Sequence, residues 1–121
     1  MGVVVLNWNA AWFTRRCLRS LAALDYPADR LRLVLADNGS VDGSLEELQH
    51  WLSRPGAPEV ELIENGENLG FAEGCNRAIR RLLEPGPGRV DHVALLNNDA
   101  WAEQGWLRSM VAAMQADDRC G

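Results

Sequence analysis

The chain has 121 residues, a mass of 13.4 kDa, a net charge of −5 and a sequence pI of about 4.9. Hydrophobic residues make up 47% of it and charged residues 24%, a balance that excludes a disordered tail, a collagen-like rod and a disulfide-stabilised miniprotein. All 12 basic residues are Arg, which excludes a Walker lysine and a Schiff-base lysine, and the acidic balance disfavours binding to nucleic acid.

Apolar runs alternate with helical stripes along the chain. The runs predict four strands, at residues 3–6, 31–36, 60–63 and 93–96. The stripes predict four amphipathic helices, at residues 13–24, 45–52, 72–83 and 106–114. This order predicts a single α/β domain over residues 1–121. We expect a mostly parallel sheet of about four strands, with helices on both faces and right-handed crossovers.

Local patterns refine the helices. The first helix is predicted to bury Phe13, Cys17, Leu18, Leu21 and Leu24. Ser44 and Glu47 have the spacing of a capping box at the start of the second helix, and Asp42 is expected to cap that helix or complement its dipole. No C-x-x-C spacing occurs, so we expect neither a zinc site nor a disulfide, and we expect two buried thiols among Cys17, Cys75 and Cys120.

Apolar segments and leader signals bear on location. No apolar run approaches the ~18 residues of a membrane span, and no signal peptide is visible. We therefore predict a cytoplasmic protein without a transmembrane segment, and we leave peripheral association with the inner face of a membrane open.

Polar segments follow all four predicted strands, at residues 7–9, 37–44, 65–74 and 97–99. Each segment alone is weak evidence for a ligand site, because Asn, Asp and Gly are ordinary turn residues. The carboxyl ends of parallel strands share one edge of a sheet, and open α/β sheets bind ligands there. We therefore expect the four segments to form one ligand pocket.

The sequence leaves two roles open for most candidates. Asp37 either contacts a base or ribose or forms an Asx turn or cap. Asn76 lies on an apolar helix face, where a buried amide either clamps a loop or faces the ligand. Gly70 and Gly74 flank the start of a helix and would let backbone approach a phosphate. Asp99 either supplies a carboxylate for Mg²⁺ or Mn²⁺ or caps the next helix.

Four strings in this sequence resemble family 2 glycosyltransferases of the GT-A fold, notably the rhamnosyltransferase-like branch. They are VVVLNWN at 3–9, LADNGSVDGS at 35–44, ENLGFAEGCNRAI at 67–79 and LLNND at 95–99. The resemblance implies the N-terminal, Rossmann-like half of a GT-A domain, which binds a dTDP- or UDP-linked sugar. It also implies metal-assisted, inverting transfer to a hydroxyl of a saccharide or lipid-linked acceptor.

The resemblance also assigns residues. Asp99 stands at the last position of the family's D-x-D metal motif and would bind Mg²⁺ or Mn²⁺, while Asn97 replaces the first acid. The family's catalytic base and acceptor contacts lie in the second half of its domain, so we expect the base beyond Gly121 and donor binding without turnover in this chain. The donor-binding residues implied are Asn7, Trp8, Asn9, Asp37, Asn68, Gly70, Asn76 and Asn98.

Two other functions are weaker fits. A receiver-like signalling module would accept a phosphate on Asp37, but it would need an acidic pair after the first strand and a late lysine, where this chain has Asn7, Asn9 and no Lys. A GT-A-like nucleotidyltransferase would have an Arg- and Gly-rich loop after the first strand, which is absent. A half-domain leaves a sheet edge uncovered, so we also expect self-association.

Overall fold

A computed structural model describes residues 1–117 and 119. The strands are β1 (Gly2–Asn7), β2 (Arg32–Asp37), β3 (Glu61–Glu64) and β4 (Val93–Asn97), and they form one parallel sheet in the order β3-β2-β1-β4. The helices are α1 (Ala11–Ala22), α2 (Ser44–Leu52), α3 (Gly70–Leu83) and α4 (Trp106–Ala116), with a 3₁₀ turn at Ala28–Arg30. The predicted class and order of elements are confirmed.

Helices cover both faces of the sheet because the side chains of the central strands alternate between them. Val3 and Val5 of β1 pack in one apolar cluster with residues of α1 and α2 and with Leu107 of α4. Val4 points to the opposite face, where it packs in a second cluster with α3 residues such as Leu82. The core therefore has two layers, and β1 and β2 lie between them.

The path of the chain defines where a ligand site is expected. The chain passes from β1 through β2 to β3 by way of α1 and α2 on one face, and α3 on the opposite face then returns it to β4 beside β1. The strand order reverses between β1 and its neighbour β4, which makes this pair a topological switch point, where open α/β sheets bind ligands. Asn7 and Asn97 are the last residues of the two strands.

One predicted stripe is wrong in part. Phe13 is 47% exposed, and the buried residues of α1 include Thr14 in its place. The helix begins at Ala11, so the spacing of three and four residues that faces the sheet runs through positions 11, 14, 18 and 21. Leu24 lies beyond the last helical residue but still packs, partly buried, against the core.

The predicted capping box of α2 is also wrong. Gly43, with a φ of 87°, is the N-cap residue, and Ser44 is already helical. The Ser44 hydroxyl instead accepts a hydrogen bond from the N–H of Ala11 at 3.1 Å, which ties the starts of α1 and α2 together. Asp42 accepts the N–H of Ser44 at 2.9 Å and so caps α2, as expected. Hydrogen bonds from the Ser44 side chain and N–H lower the pKa of Asp42.

The two cysteines of the described core are free thiols. Cys17 and Cys75 are both buried, as expected, while Cys120 lies outside the described residues. Burial raises the pKa of Cys75. Among the helices that the structure describes, none has the length and apolar character needed to cross a membrane.

Candidate functional site

The ends of β1 and β2 are joined through one buried carboxylate. Asp37 is 1% exposed, and its oxygens accept hydrogen bonds from Asn7 Nδ2 at 2.8 Å and from the N–H and hydroxyl of Ser40 at 2.9 and 2.7 Å. The bond to the Ser40 N–H closes a tight turn after β2. The structure thus shows the turn-forming role of Asp37 and encloses the carboxylate among protein donors.

The loop after β1 is fastened at Asn9. This residue has a φ of 52°, in the left-handed region that Asn tolerates better than most residues. Its N–H donates to Ser40 Oγ at 2.9 Å, and its Oδ1 accepts the N–H of Val41 at 2.8 Å. The loops after β1 and β2 are therefore held together, and Trp8 is left 53% exposed beside them.

Thr14 connects this cluster to the loop after β4. It is fully buried, its hydroxyl donates to Asn7 Oδ1 at 2.6 Å, and it accepts a hydrogen bond from Asn98 Nδ2 at 3.0 Å. A continuous path of side-chain hydrogen bonds therefore leads from Asp37 through Asn7 and Thr14 to Asn98. We call this path the carboxyl-edge network.

A second group of amides holds the loop after β3. Asn38 is 2% exposed, donates to Asn68 Oδ1 at 3.0 Å and to the Gly70 carbonyl at 3.3 Å, and accepts from Asn65 Nδ2 at 3.0 Å. Gly74 makes room for it, because a Cβ there would lie 2.8 Å from Asn38 Oδ1. The close approach expected of Gly74 is thus to a protein amide. Gly70 is the first residue of α3 and Gly74 lies one turn inside it.

The expected burial of Asn76 is wrong. Asn76 is exposed on α3, because the buried face of this helix runs through Gly74, Cys75, Ala78 and Leu82. Hydrogen bonds from Arg80 and, to a smaller extent, from Asn76 lower the pKa of Glu73 on the same helix. The loop clamp that the sequence suggested for Asn76 is made by Asn38 and Asn65 instead.

The end of β4 is open. Asn97 and Asp99 are exposed, and the Asp99 carboxylate accepts no hydrogen bond from the residues that the structure describes. It does not cap α4, whose N-cap residue is Gly105. Burial, together with the Asp99 carboxylate, raises the pKa of Cys17 to about 12. The Cys17 thiol donates to the carbonyl of Asn97 at 3.6 Å.

Sequence reasoning missed several residues that build this edge. Thr14 carried a usable signal, since it is the polar member of the spacing that begins at Ala11. Ser40, Asn38 and Asn65 carried no such signal, because they stand in loops where any Asn or Ser fits a turn. Their roles follow from contacts between loops 27 to 33 positions apart in sequence.

Three cavities lie away from this edge. One of about 390 Å³ lies at the amino edge of the sheet, lined in part by Arg32 and residues 88–92. Another of about 700 Å³ lies between the end of α1 and the start of β3, and a third of about 510 Å³ lies near Trp51. The carboxyl-edge loops meet as a hydrogen-bonded surface and line none of these cavities, so the single pocket expected from the sequence is not found among them.

Comparison with known proteins identifies relatives. The model of the family described as "Glycosyl transferase family 2" matches residues 2–121. The chain is 32% identical over 110 residues to the N-acetylglucosaminyl-diphospho-decaprenol L-rhamnosyltransferase of Mycobacterium tuberculosis, a match that covers 85% of this chain and 34% of the relative. It is 25% identical to the glycosyltransferase AglE of Haloferax volcanii, over 94% of this chain and 35% of the relative. The chain thus spans about a third of the length of these curated relatives.

Solved structures share the fold. The mannosyltransferase PcManGT from Pyrobaculum calidifontis, in complex with GDP-Man and Mn²⁺, superposes with a TM-score of 0.80 at 28% identity, over 96% of this chain and 32% of that one. S. aureus TarS in complex with UDP-GlcNAc superposes with a TM-score of 0.75 at 19% identity, over 95% of this chain and 31% of that one. The α/β architecture is therefore that of known GT-A enzymes.

Proposed function

The chain belongs to glycosyl transferase family 2, and on that premise we propose that its carboxyl edge binds the nucleoside diphosphate of a sugar donor. The observation that carries the proposal is the carboxyl-edge network, which fixes the loops after β1, β2 and β4 relative to one another at the topological switch point. A preorganised polar surface of this kind binds a charged ligand without first reorganising.

The buried and exposed residues would have different roles in that site. Asn7 and Asp37 are enclosed, so they would position the loops that hold the base and ribose. Trp8 and Asn9 lie outside them, and an exposed indole ring is suited to stacking on a base. The remaining donor contacts proposed are Asn68, Gly70, Asn76 and Asn98, which lie in or beside the loops after β3 and β4.

Asp99 fits a divalent cation only together with a phosphate ligand. Among the described residues no group of three His, Cys, Asp or Glu side chains is suited to a metal, and the oxygens near the end of β4 come from Asp99 and the Asn97 amide. Mg²⁺ is commonly held by one or two carboxylates plus substrate phosphates and water. Mg²⁺ or Mn²⁺ bound at Asp99 would neutralise charge on the donor diphosphate.

The reaction of the whole protein is part of the same proposal. We infer metal-assisted, inverting transfer from a dTDP- or UDP-linked sugar to a hydroxyl of a saccharide or lipid-linked acceptor, in the cytoplasm or at a membrane surface. The name of the M. tuberculosis relative, which gives a lipid-linked substrate and a rhamnosyl group, supports this choice. The catalytic base would lie outside these 121 residues, so this chain would bind the donor without turnover. The enclosed carboxylate of Asp37 argues against a receiver-type phosphoacceptor.

Calorimetric titration tests the proposal. UDP, dTDP and GDP are titrated into the chain with and without Mn²⁺, and at least one should bind, more tightly with the metal. Asp99→Asn should weaken the metal-dependent binding at least about tenfold, while Asp91→Asn, near the amino-edge cavity, should leave it unchanged. Absence of binding in a demonstrably folded sample would contradict the donor site. Equal binding by wild type and Asp99→Asn would contradict the metal assignment.

A further inference from the structure

Exposed aromatic rings gather around one arginine beside the loop after β4. Trp12 and Phe13 on α1 are 58% and 47% exposed, and their rings meet edge to face with centroids 4.9 Å apart. Trp101, between β4 and α4, is 65% exposed. The Arg16 guanidinium lies 4.8 Å from the ring centroid of Trp12 and 5.4 Å from that of Trp101. We call these four residues the aromatic surface.

The packing of the fold does not require aromatic side chains at these positions. Trp12 and Phe13 lie outside the buried face of α1, and none of the four residues belongs to the carboxyl-edge network. Single exposed apolar side chains are common on soluble proteins, but a contiguous group of large ones marks an interaction site. The aromatic surface therefore indicates a partner.

The charge of α1 is opposite to that of the whole chain. α1 contains three Arg and no acidic residue, although the net charge of the chain is −5. Arg15 pairs with Glu47 at 2.9 Å, whereas Arg16 and Arg19 form no salt bridge with the residues that the structure describes. Two acids, Asp99 and Glu103, lie on either side of Trp101 in sequence. The exposed side of α1 keeps an excess of positive charge.

We propose that the aromatic surface docks the protein on an anionic lipid surface, with the indole rings at the level of the headgroups and Arg16 facing lipid phosphates. Trp is favoured at such interfaces because its ring is apolar and its N–H is polar. Helices that lie on membranes combine basic residues with Trp and Phe in the same way. A saccharide fits less well, because Arg16 lies over both indole rings and a neutral sugar does not complement its charge.

Docking in this way would place the loop after β4 near the headgroups. Trp101 is two residues from Asp99, so a membrane that contacts Trp101 would lie beside the proposed donor site. The inference stands on the rings and charges alone, and failure of nucleotide binding would leave it unaffected.

Vesicle flotation tests the docking. The chain should float with vesicles of phosphatidylcholine plus about one-third phosphatidylglycerol, much less with phosphatidylcholine alone, and less again at high salt. Arg16→Gln should weaken partitioning about fivefold, which is the usual contribution of one basic residue near an anionic membrane. The double variant Trp12→Gln/Trp101→Gln should weaken it about tenfold or more, because two large rings no longer bury apolar area.

Matched controls separate docking through the aromatic surface from nonspecific adsorption to vesicles. Leu83→Gln and Arg89→Gln change an exposed apolar side chain and an exposed arginine far from the aromatic surface, and both should float like wild type. Circular dichroism checks that every variant is folded. The proposal is overturned if wild type does not float, if it floats equally with neutral vesicles, or if the aromatic and Arg16 variants float unchanged. Without flotation, quenching of Trp fluorescence by soluble saccharides that is lost in the Trp12→Gln/Trp101→Gln variant would assign the surface to a sugar instead.

Discussion

The two halves of the carboxyl edge differ in burial and in hydrogen bonding. At β1 and β2, the side chains of Asn7, Asp37 and Asn38 are at most 2% exposed. Each forms a hydrogen bond with a side chain from another loop. At β4, Asp99 is exposed and Trp101 is 65% exposed. Buried polar groups must find partners, so the first half sets geometry and its loss should appear as lost stability. The second half is free to contact a ligand, and its loss should appear as lost binding.

The largest expected effect on stability is that of Asp37→Ala. Removing the carboxylate leaves the Ser40 N–H and one of the two Asn7 Nδ2 hydrogens without an acceptor, and we expect a loss of about 2–4 kcal/mol in the free energy of unfolding. Urea denaturation measures it, and Asp91→Ala, an exposed carboxylate, should change stability by no more than about 0.5 kcal/mol. Equal stability of the two variants would show that the buried half does not depend on this carboxylate.

Thr14→Val tests the connection between the two halves. Valine fills nearly the same volume but lacks the hydroxyl that bonds both Asn7 and Asn98, so we expect a loss of about 1–2 kcal/mol. Thr14→Ser keeps the hydroxyl and serves as the matched control. If Thr14→Val lowers the free energy of unfolding in denaturant no more than Thr14→Ser does, the hydroxyl bridge does not stabilise the fold.

Self-association should occur through β4, the edge strand that ends at the exposed half of the carboxyl edge. β4 carries no charged residue, and its Leu95 is 44% exposed. The other edge strand, β3, is protected by the charged residues Glu61 and Glu64. Glu61 also pairs with Arg32 and Arg81. Wild type should form dimers or larger species in sedimentation at high concentration. Leu95→Lys should shift it toward monomer with little change in unfolding free energy, while Val41→Lys, in a loop, should not. A wild-type monomer at high concentration would refute this.

The smallest effect should come from Asp42. Its folded pKa is lowered by Ser44, so the stabilisation that it gives to α2 is complete above its ordinary pKa of about 3.9 and is lost as the pH falls through the lowered value. Asp42→Asn should therefore lose less stability than wild type on acidification in this range. Thermal unfolding of both proteins at a series of acidic pH values measures the difference, and coinciding profiles would show that the hydrogen bond has no effect.

Strands could be predicted from the sequence because buried parallel strands are continuous apolar runs. The run at residues 3–6 marks β1 to within one residue at each end, and the run at 93–96 marks β4 equally well. Helix faces were harder. The sequence predicts Phe13 in the core because it is large and apolar, yet the start of α1 at Ala11 turns Thr14 inward instead.

The site could be predicted only in outline. The polar loops identify the carboxyl edge, but they do not say which amide is buried. The apolar stripe of α3 predicts Asn76 as the buried amide. The structure buries Asn38 instead, because the missing Cβ of Gly74 admits it from a loop 36 positions away. Such a contact between distant segments leaves no local pattern.

Nuclear magnetic resonance mapping of amide shifts tests the central claim most directly. UDP or dTDP, added with Mg²⁺ to ¹⁵N-labelled chain, should perturb amides at the carboxyl edge, such as those of Asn9, Ser40 and Asn98, and leave the amino edge unchanged. Perturbation confined to the amino-edge cavity, at Arg32 and residues 88–92, would place the nucleotide at the opposite end of the sheet and contradict the account.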